Sequence, residues 1–133
     1  IAKTIRDFRD SNSKILNSKS ATLYPILHTD AVQAFQFLNC NVDALGMDLL
    51  TLSAHKIYGP KGIGVLYARQ LLTPNSQFLA PMVTGGGQEF GLRSGTENVP
   101  LIVGFAKAVG LAVECRKKEA ERMGNCAIIS GKE

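Results

Sequence analysis

The sequence predicts an α/β domain, with a sheet covered by helices on both faces. Three short apolar runs carry that expectation: Tyr24-Pro25-Ile26-Leu27-His28, Asp48-Leu49-Leu50-Thr51-Leu52-Ser53 and Gly62-Ile63-Gly64-Val65-Leu66-Tyr67. Their apolar stretches are continuous between polar ends, the pattern of strands buried on both faces. Other stretches repeat apolar residues at helical spacing instead. The 133 residues, 45% hydrophobic and 20% charged, suit one domain around one core.

The elements follow in order. Ile1, Ile5 and Phe8 share a helical face, so residues 1–9 read as the tail of an amphipathic helix. Ser11 to Ser20 is mostly Ser, Asn and Lys and reads as an exposed loop. The first strand candidate ends at Thr29-Asp30 and the second at Ala54-His55-Lys56. The glycines of the third point to a close backbone approach. Gly85-Gly86-Gly87 marks a loop after a proline-containing stretch. Beyond it, Leu101, Phe105, Ala108, Val109 and Ala112 keep a 3.6-residue period, with Pro100 where a first helical turn tolerates it. A helix from Asn98 to Met123 is predicted.

Composition excludes several classes. No apolar run approaches the ~20 residues that span a bilayer, so no membrane association is expected. The chain opens with charges at helical spacing, so a signal peptide is not expected in these residues. Its first residue is Ile and not Met, so a piece of a longer chain is expected. Fifteen Lys plus Arg against eleven Asp plus Glu give a net charge of +4. The tightest basic cluster, Arg116-Lys117-Lys118, has Glu114, Glu119 and Glu121 around it and reads as a solvated, ion-paired helix face. No aromatic residues interleave it, so nucleic acid is not an expected partner. Cys40, Cys115 and Cys126 form no CxxC and are odd in number, which fits a reduced cytoplasmic protein. With His28 and His55 they show no zinc-ligand spacing, and no metal is expected.

Two strand ends deliver polar groups to what reads as one sheet edge: His28-Thr29-Asp30 with Gln33, and Ser53-Ala54-His55-Lys56. Ligands of open α/β sheets bind at the carboxyl ends of strands. Each residue also has a plainer reading. Asp30 suits the N-cap of a helix starting at Ala31, Lys56 suits a surface lysine, and His55 a core histidine. Gly59-Pro60-Lys61-Gly62-Ile63-Gly64 is not a phosphate loop, because it lacks GxxxxGK[ST] and its glycines enter a strand.

The combination is more specific than its parts. Asp30-Ala-Val-Gln33, then Ser53-Ala-His-Lys56-Ile-Tyr-Gly-Pro-Lys-Gly62, then Gly85-Gly-Gly-Gln-Glu-Phe-Gly-Leu-Arg-Ser-Gly-Thr-Glu-Asn98 occur in that order. Together they resemble the cysteine desulfurases of the pyridoxal-phosphate-dependent class-V aminotransferases, over His28 to Val113. The resemblance implies that residues 1–133 form part of the large domain of a fold-type-I enzyme. That domain has a mostly parallel sheet flanked by helices, here truncated at both ends. Lys56 matches the lysine that forms the Schiff base with the cofactor aldehyde, a role that asks for an amine tuned by burial and neighbours. Asp30 matches the carboxylate at the pyridine nitrogen and Gln33 the residue bonded to the ring hydroxyl. Ser53 and His55 match the pair that binds the cofactor phosphate. Thr96 matches a threonine reaching the phosphate of the neighbouring subunit, which implies a homodimer with the glycine-rich segment at its interface. Arg93 is read as shaping that shared site and is given no substrate role, while His28 and Lys61 read as structural.

One departure matters. A desulfurase needs a nucleophilic cysteine on a mobile loop, and none of the three cysteines matches it. Each reads as structural or incidental. The ring-stacking histidine, the substrate-binding asparagine, the small C-terminal domain and its carboxylate-binding arginine have no matching position either. The expected parent converts L-cysteine to L-alanine and passes persulfide sulfur to an acceptor or scaffold protein for iron–sulfur cluster or thionucleoside synthesis. This portion alone is expected to be inactive. Selenocysteine lyase and a non-catalytic interaction domain retaining the fold are the alternative readings.

Overall fold

The computed structural model describes residues 1–12, 25–69 and 79–130. Its elements run α1 (Ala2–Asn12), β1 (His28–Asp30), α2 (Val42–Leu45), β2 (Leu49–Ser53), β3 (Gly64–Ala68) and α3 (Val99–Ser130), with 3-10 turns at Ala54–Ile57 and Glu89–Gly91. β2 is the central strand of three. Its alternation turns Leu50 and Leu52 inward, where they meet Phe105, Ala108 and Ala112 of α3. Burying each leucine contributes about 1.5–3 kcal/mol. Ala31, Phe35, Ala54 and Ile57 complete this core. Leu49 and Thr51 point the other way and are half-buried, and Val65 and Leu66 of β3 are exposed. Val65 lies opposite Leu52 on the side that faces α3, so among the described residues α3 covers β2 and leaves β3 open.

The sheet is mixed. β1 pairs parallel with β2, His28 opposite Leu49 and Asp30 opposite Thr51. β3 pairs antiparallel, Leu49 opposite Ala68 and Ser53 opposite Gly64, because a short connection returns the chain to the strand it just left. Gly64 is the expected close approach: a Cβ there would lie 2.7 Å from the Leu52 carbonyl oxygen.

Several boundaries differ from the sequence reading, each for a local reason. The first strand forms over His28–Asp30 and not over the apolar run before it. Pro25 has no N–H to give a ladder, and the Leu27 N–H is taken by Asp48 Oδ2 at 2.8 Å. Tyr24, like the loop residues 13–20, lies outside the described residues. No helix follows Asp30. Its Oδ1 instead accepts from the Val32 N–H at 3.0 Å and opens a series of turns over residues 32–37. α3 starts as expected, with Asn98 Oδ1 accepting from the Leu101 N–H at 3.2 Å. It runs on to Ser130, past the Met123 end predicted from the sequence and through Gly124-Asn125-Cys126. One helical glycine costs only about 1 kcal/mol. Arg116 is not part of a solvated face. It lies over the Phe35 ring, 5.1 Å from its centroid, and its Nε donates to the Phe35 carbonyl at 3.3 Å, tying α3 to the 32–37 turns.

Asp48, just before β2, is an anchor of the opposite end. It is buried, and Arg9 of α1 donates to it from Nη2 at 2.6 Å and from Nη1 at 3.3 Å. The same Arg9 also reaches the Pro25 carbonyl. Asp48 thereby joins α1, the entry to β1 and the start of β2. Removing one partner of a buried pair leaves the other charge uncompensated. Asp48→Ala is therefore expected to lower stability by about 3 kcal/mol in chemical denaturation, and a loss of less than about 1 kcal/mol, typical of a surface pair, would contradict the anchoring role.

Candidate active site

Parallel pairing of β1 and β2 brings their carboxyl ends to one edge of the sheet. The ladder closes there with the Ala31 N–H donating to the Thr51 carbonyl at 3.0 Å. Asp30 and Gln33 leave this edge from β1, and Ser53, His55 and Lys56 leave it from β2. β2 does not depart into a loop. It passes straight into the 3-10 turn Ala54–Ile57, held by the Ala54 N–H on the Ile63 carbonyl at 3.1 Å. Residues three apart eclipse in a 3-10 turn. Ala54 and Ile57 therefore both face the core and are buried, while His55 and Lys56 between them are exposed. The plainer reading of His55 as a core histidine fails for this reason.

Ser53 precedes the turn without capping it, and its Oγ lies 2.9 Å from His55 Nδ1. The serine thus orients the imidazole. Asp30 is exposed, and with Oδ1 engaged by the Val32 N–H its Oδ2 has no partner among the described residues. Lys56 forms no ion pair among them either. His28 is occupied inside the sheet, its Nε2 being 2.8 Å from Thr51 Oγ1.

Thr96 is elsewhere. It lines a cleft of about 870 Å³ with Val65 and Leu66 of β3, Phe90, Arg93 and Phe105, and none of the other five predicted site residues borders that cleft. The glycine-rich segment beside it is closed on itself. Buried Ser94 accepts from the Gly87 N–H at 3.3 Å, Gln88 Oε1 accepts from the Gly95 N–H at 3.0 Å, and the Ser94 N–H donates to Val83 at 3.0 Å. Ser94 and Gln88 lie within the motif, but nothing in their spacing announces that they close the loop. Glu89 and Phe90 take left-handed backbone conformations, φ 51° and 58°, and Phe90 is 89% exposed.

Neither described cysteine side chain reaches the β1–β2 edge chemistry. Cys115 is exposed on α3. Cys40 is half-buried and donates to the Leu38 carbonyl, at 3.6 Å. Burial pushes its thiol up, an effect that the charge of Arg116 opposes in part. The Cys126 side chain lies outside what is described. Among the described residues no group of three His, Cys, Asp or Glu side chains could hold a metal ion. Because a raised pKa leaves less thiolate at a given pH, Cys40 is expected to be alkylated by iodoacetamide more slowly than Cys115 at pH 8, the gap narrowing as pH rises. Peptide mapping that finds Cys40 modified first would contradict this.

Comparison with known proteins agrees with the family that these motifs resemble. The sequence model described as Aminotransferase class-V matches residues 17–126. A cysteine desulfurase IscS of Dictyoglomus turgidum is 50% identical over 107 residues, and the cysteine desulfurase IscS 1 of Archaeoglobus fulgidus is 44% identical over 111. These matches cover 80% and 84% of the chain, but the chain spans only 26% of either relative. A solved structure titled NifS-like protein superimposes with a TM-score of 0.69 at 38% identity, covering 96% of this chain and 32% of its own. Another, titled SspA in complex with cysteine, gives 0.59 at 42% identity, covering 80% and 27%. The chain belongs to the class-V aminotransferase family.

Proposed function

We propose that this chain is part of the large domain of a cysteine desulfurase that uses pyridoxal phosphate, as its family does, with Lys56 as the cofactor lysine. The observation that carries the reading is the single turn at the end of β2, which exposes His55 and Lys56 beside Ser53 on the edge that also carries Asp30. The donor set suits the group. A hydroxyl and an imidazole 2.9 Å apart are phosphate ligands, an unpaired amine is one residue away, and an unengaged carboxylate oxygen is complementary to a protonated pyridine nitrogen. Pyridoxal phosphate, when bound, supplies an electron sink for the substrate Cα.

The chain's own residues do the rest. Ser53 and His55 hold the phosphate, so the group is gripped beside the lysine. Asp30 keeps a proton on the ring nitrogen through its negative charge. Gln33 donates to the ring hydroxyl oxygen. Lys56 Nζ would hold the group at its aldehyde carbon and would be the amine placed to move a proton at the substrate Cα. Lys56 is exposed here, so the burial that this role asks for does not come from the described residues. In this reading the nucleophilic cysteine also lies outside the chain. Its thiolate would attack the sulfur of L-cysteine and form the S–S bond of a persulfide as the C–S bond breaks; the electron pair left on carbon takes up a proton to give L-alanine, and the sulfur passes to an acceptor or scaffold protein. A homodimer, with Thr96 reaching the partner's phosphate, accounts for the separation of Thr96 from the other five residues. A reducing compartment such as the cytoplasm suits the free Cys40 and Cys115 thiols. No helix among the described residues is long and apolar enough to cross a membrane.

Borohydride reduction of the protein after incubation with pyridoxal phosphate tests the assignment. The expected product is one covalent adduct, mapped to the Lys56 peptide, with Lys56→Ala losing both the adduct and the visible absorption band while its circular dichroism is unchanged. Retention of the band in that variant, or an adduct mapped to another lysine, would overturn the reading.

A further inference from the structure

The Lys56 side chain makes no polar contact among the described residues, so its aim is set by the backbone of its turn alone. That backbone is not relaxed. The turn ends at Tyr58, whose φ of 61° is left-handed, a conformation disfavoured for a residue with a Cβ. Tyr58 is 81% exposed, so its side chain supplies little packing to hold the conformation. The restraint comes from the next residue. Both the Tyr58 and the Gly59 N–H groups donate to the Ala54 carbonyl, the latter at 2.8 Å. Gly59 has an ordinary φ, so glycine is required there for space and not for conformation. A Cβ on it would lie 2.9 Å from the Ala54 oxygen, 3.0 Å from Ala108 Cβ of α3 and 3.1 Å from Ala54 Cβ. The turn is thus seated directly on α3 at a point with no room for one more carbon.

We infer that the Gly59–Ala108 contact is a positioning element for Lys56, a seat on α3 that holds the lysine turn in its strained backbone form. The inference rests on the cofactor reading for its purpose, and on the packing alone for the seat. A side chain at 59 must either push the Ala54 carbonyl, which closes the turn, or lift the turn from the helix. Enlarging Ala108 presses on the same point from the other side. Ala112, one turn further along α3, is equally buried but is not among the atoms that crowd Gly59.

The test uses the intact protein with Gly59→Ala, Ala108→Val and, as a control for overpacking the same helix face, Ala112→Val. Two readouts are followed: deuterium uptake of the peptide spanning residues 54–60, and the rate of borohydride trapping of pyridoxal phosphate at Lys56. Gly59→Ala and Ala108→Val are each expected to raise uptake in that peptide and to slow trapping on the order of tenfold, the scale of a small misplacement of a reacting group. Ala112→Val is expected to alter neither. Should Gly59→Ala not fold, Ala108→Val carries the test. Wild-type uptake and trapping in a folded Gly59→Ala or Ala108→Val variant would overturn the positioning role, as would an equal effect of Ala112→Val. A wild-type protein that is not trapped at Lys56 would instead overturn the cofactor reading and the purpose assigned to the seat, while the uptake result would still report whether the seat exists.

Discussion

The burial of Leu50 and Leu52 against α3 is the constraint on which the described structure depends. These two side chains fix which face of β2 looks inward, and a strand with period two then has no freedom left in its other positions. β1 and β3 take their registers from β2. The 3-10 turn continues the same logic, since Ala54 and Ile57 extend the buried set on the α3 side. Core packing and site geometry are therefore one arrangement. The residues that bury the turn are those that turn His55 and Lys56 out to the edge.

That coupling fixes the backbone from which the exposed Lys56 leaves the sheet edge. Its side chain makes no polar contact among the described residues, but the peptide units beneath it are held by the Ala54 carbonyl and by the filled space around Gly59. At the other end of the sheet edge the buried Arg9–Asp48 pair fixes where β1 enters. Its stabilising value lies less in attraction than in the penalty for losing either partner. The parallel pairing then aligns Asp30 with the lysine turn. The cleft lined by Thr96 and β3 has none of the other five predicted residues in its wall.

Much of this was legible in the sequence, and for definite reasons. The period of Leu101, Phe105, Ala108 and Ala112 located α3, and the polar ends of two apolar runs located the site edge. The ordered motifs around Asp30, Lys56 and Thr96 pointed to the family that comparison then showed. What could not be read was local competition for hydrogen-bonding groups. Asp48 captured the Leu27 N–H and shortened β1, Asp30 spent its carboxylate on a turn where a helix cap was expected, and Arg116 chose the Phe35 ring over solvent and its glutamate neighbours. The antiparallel return of β3 and the crowding at Gly59 depend on three-dimensional neighbours that no spacing reveals.

The central claim is that the turn after β2 and the end of β1 form one cofactor cradle. A crystal structure of the intact protein grown with pyridoxal phosphate tests it most directly. The account predicts electron density continuous from Lys56 Nζ to the cofactor, with Ser53 and His55 at the phosphate and Asp30 at the ring nitrogen. Cofactor density that joins another lysine, or a ring that leaves Asp30 without contact, would contradict it.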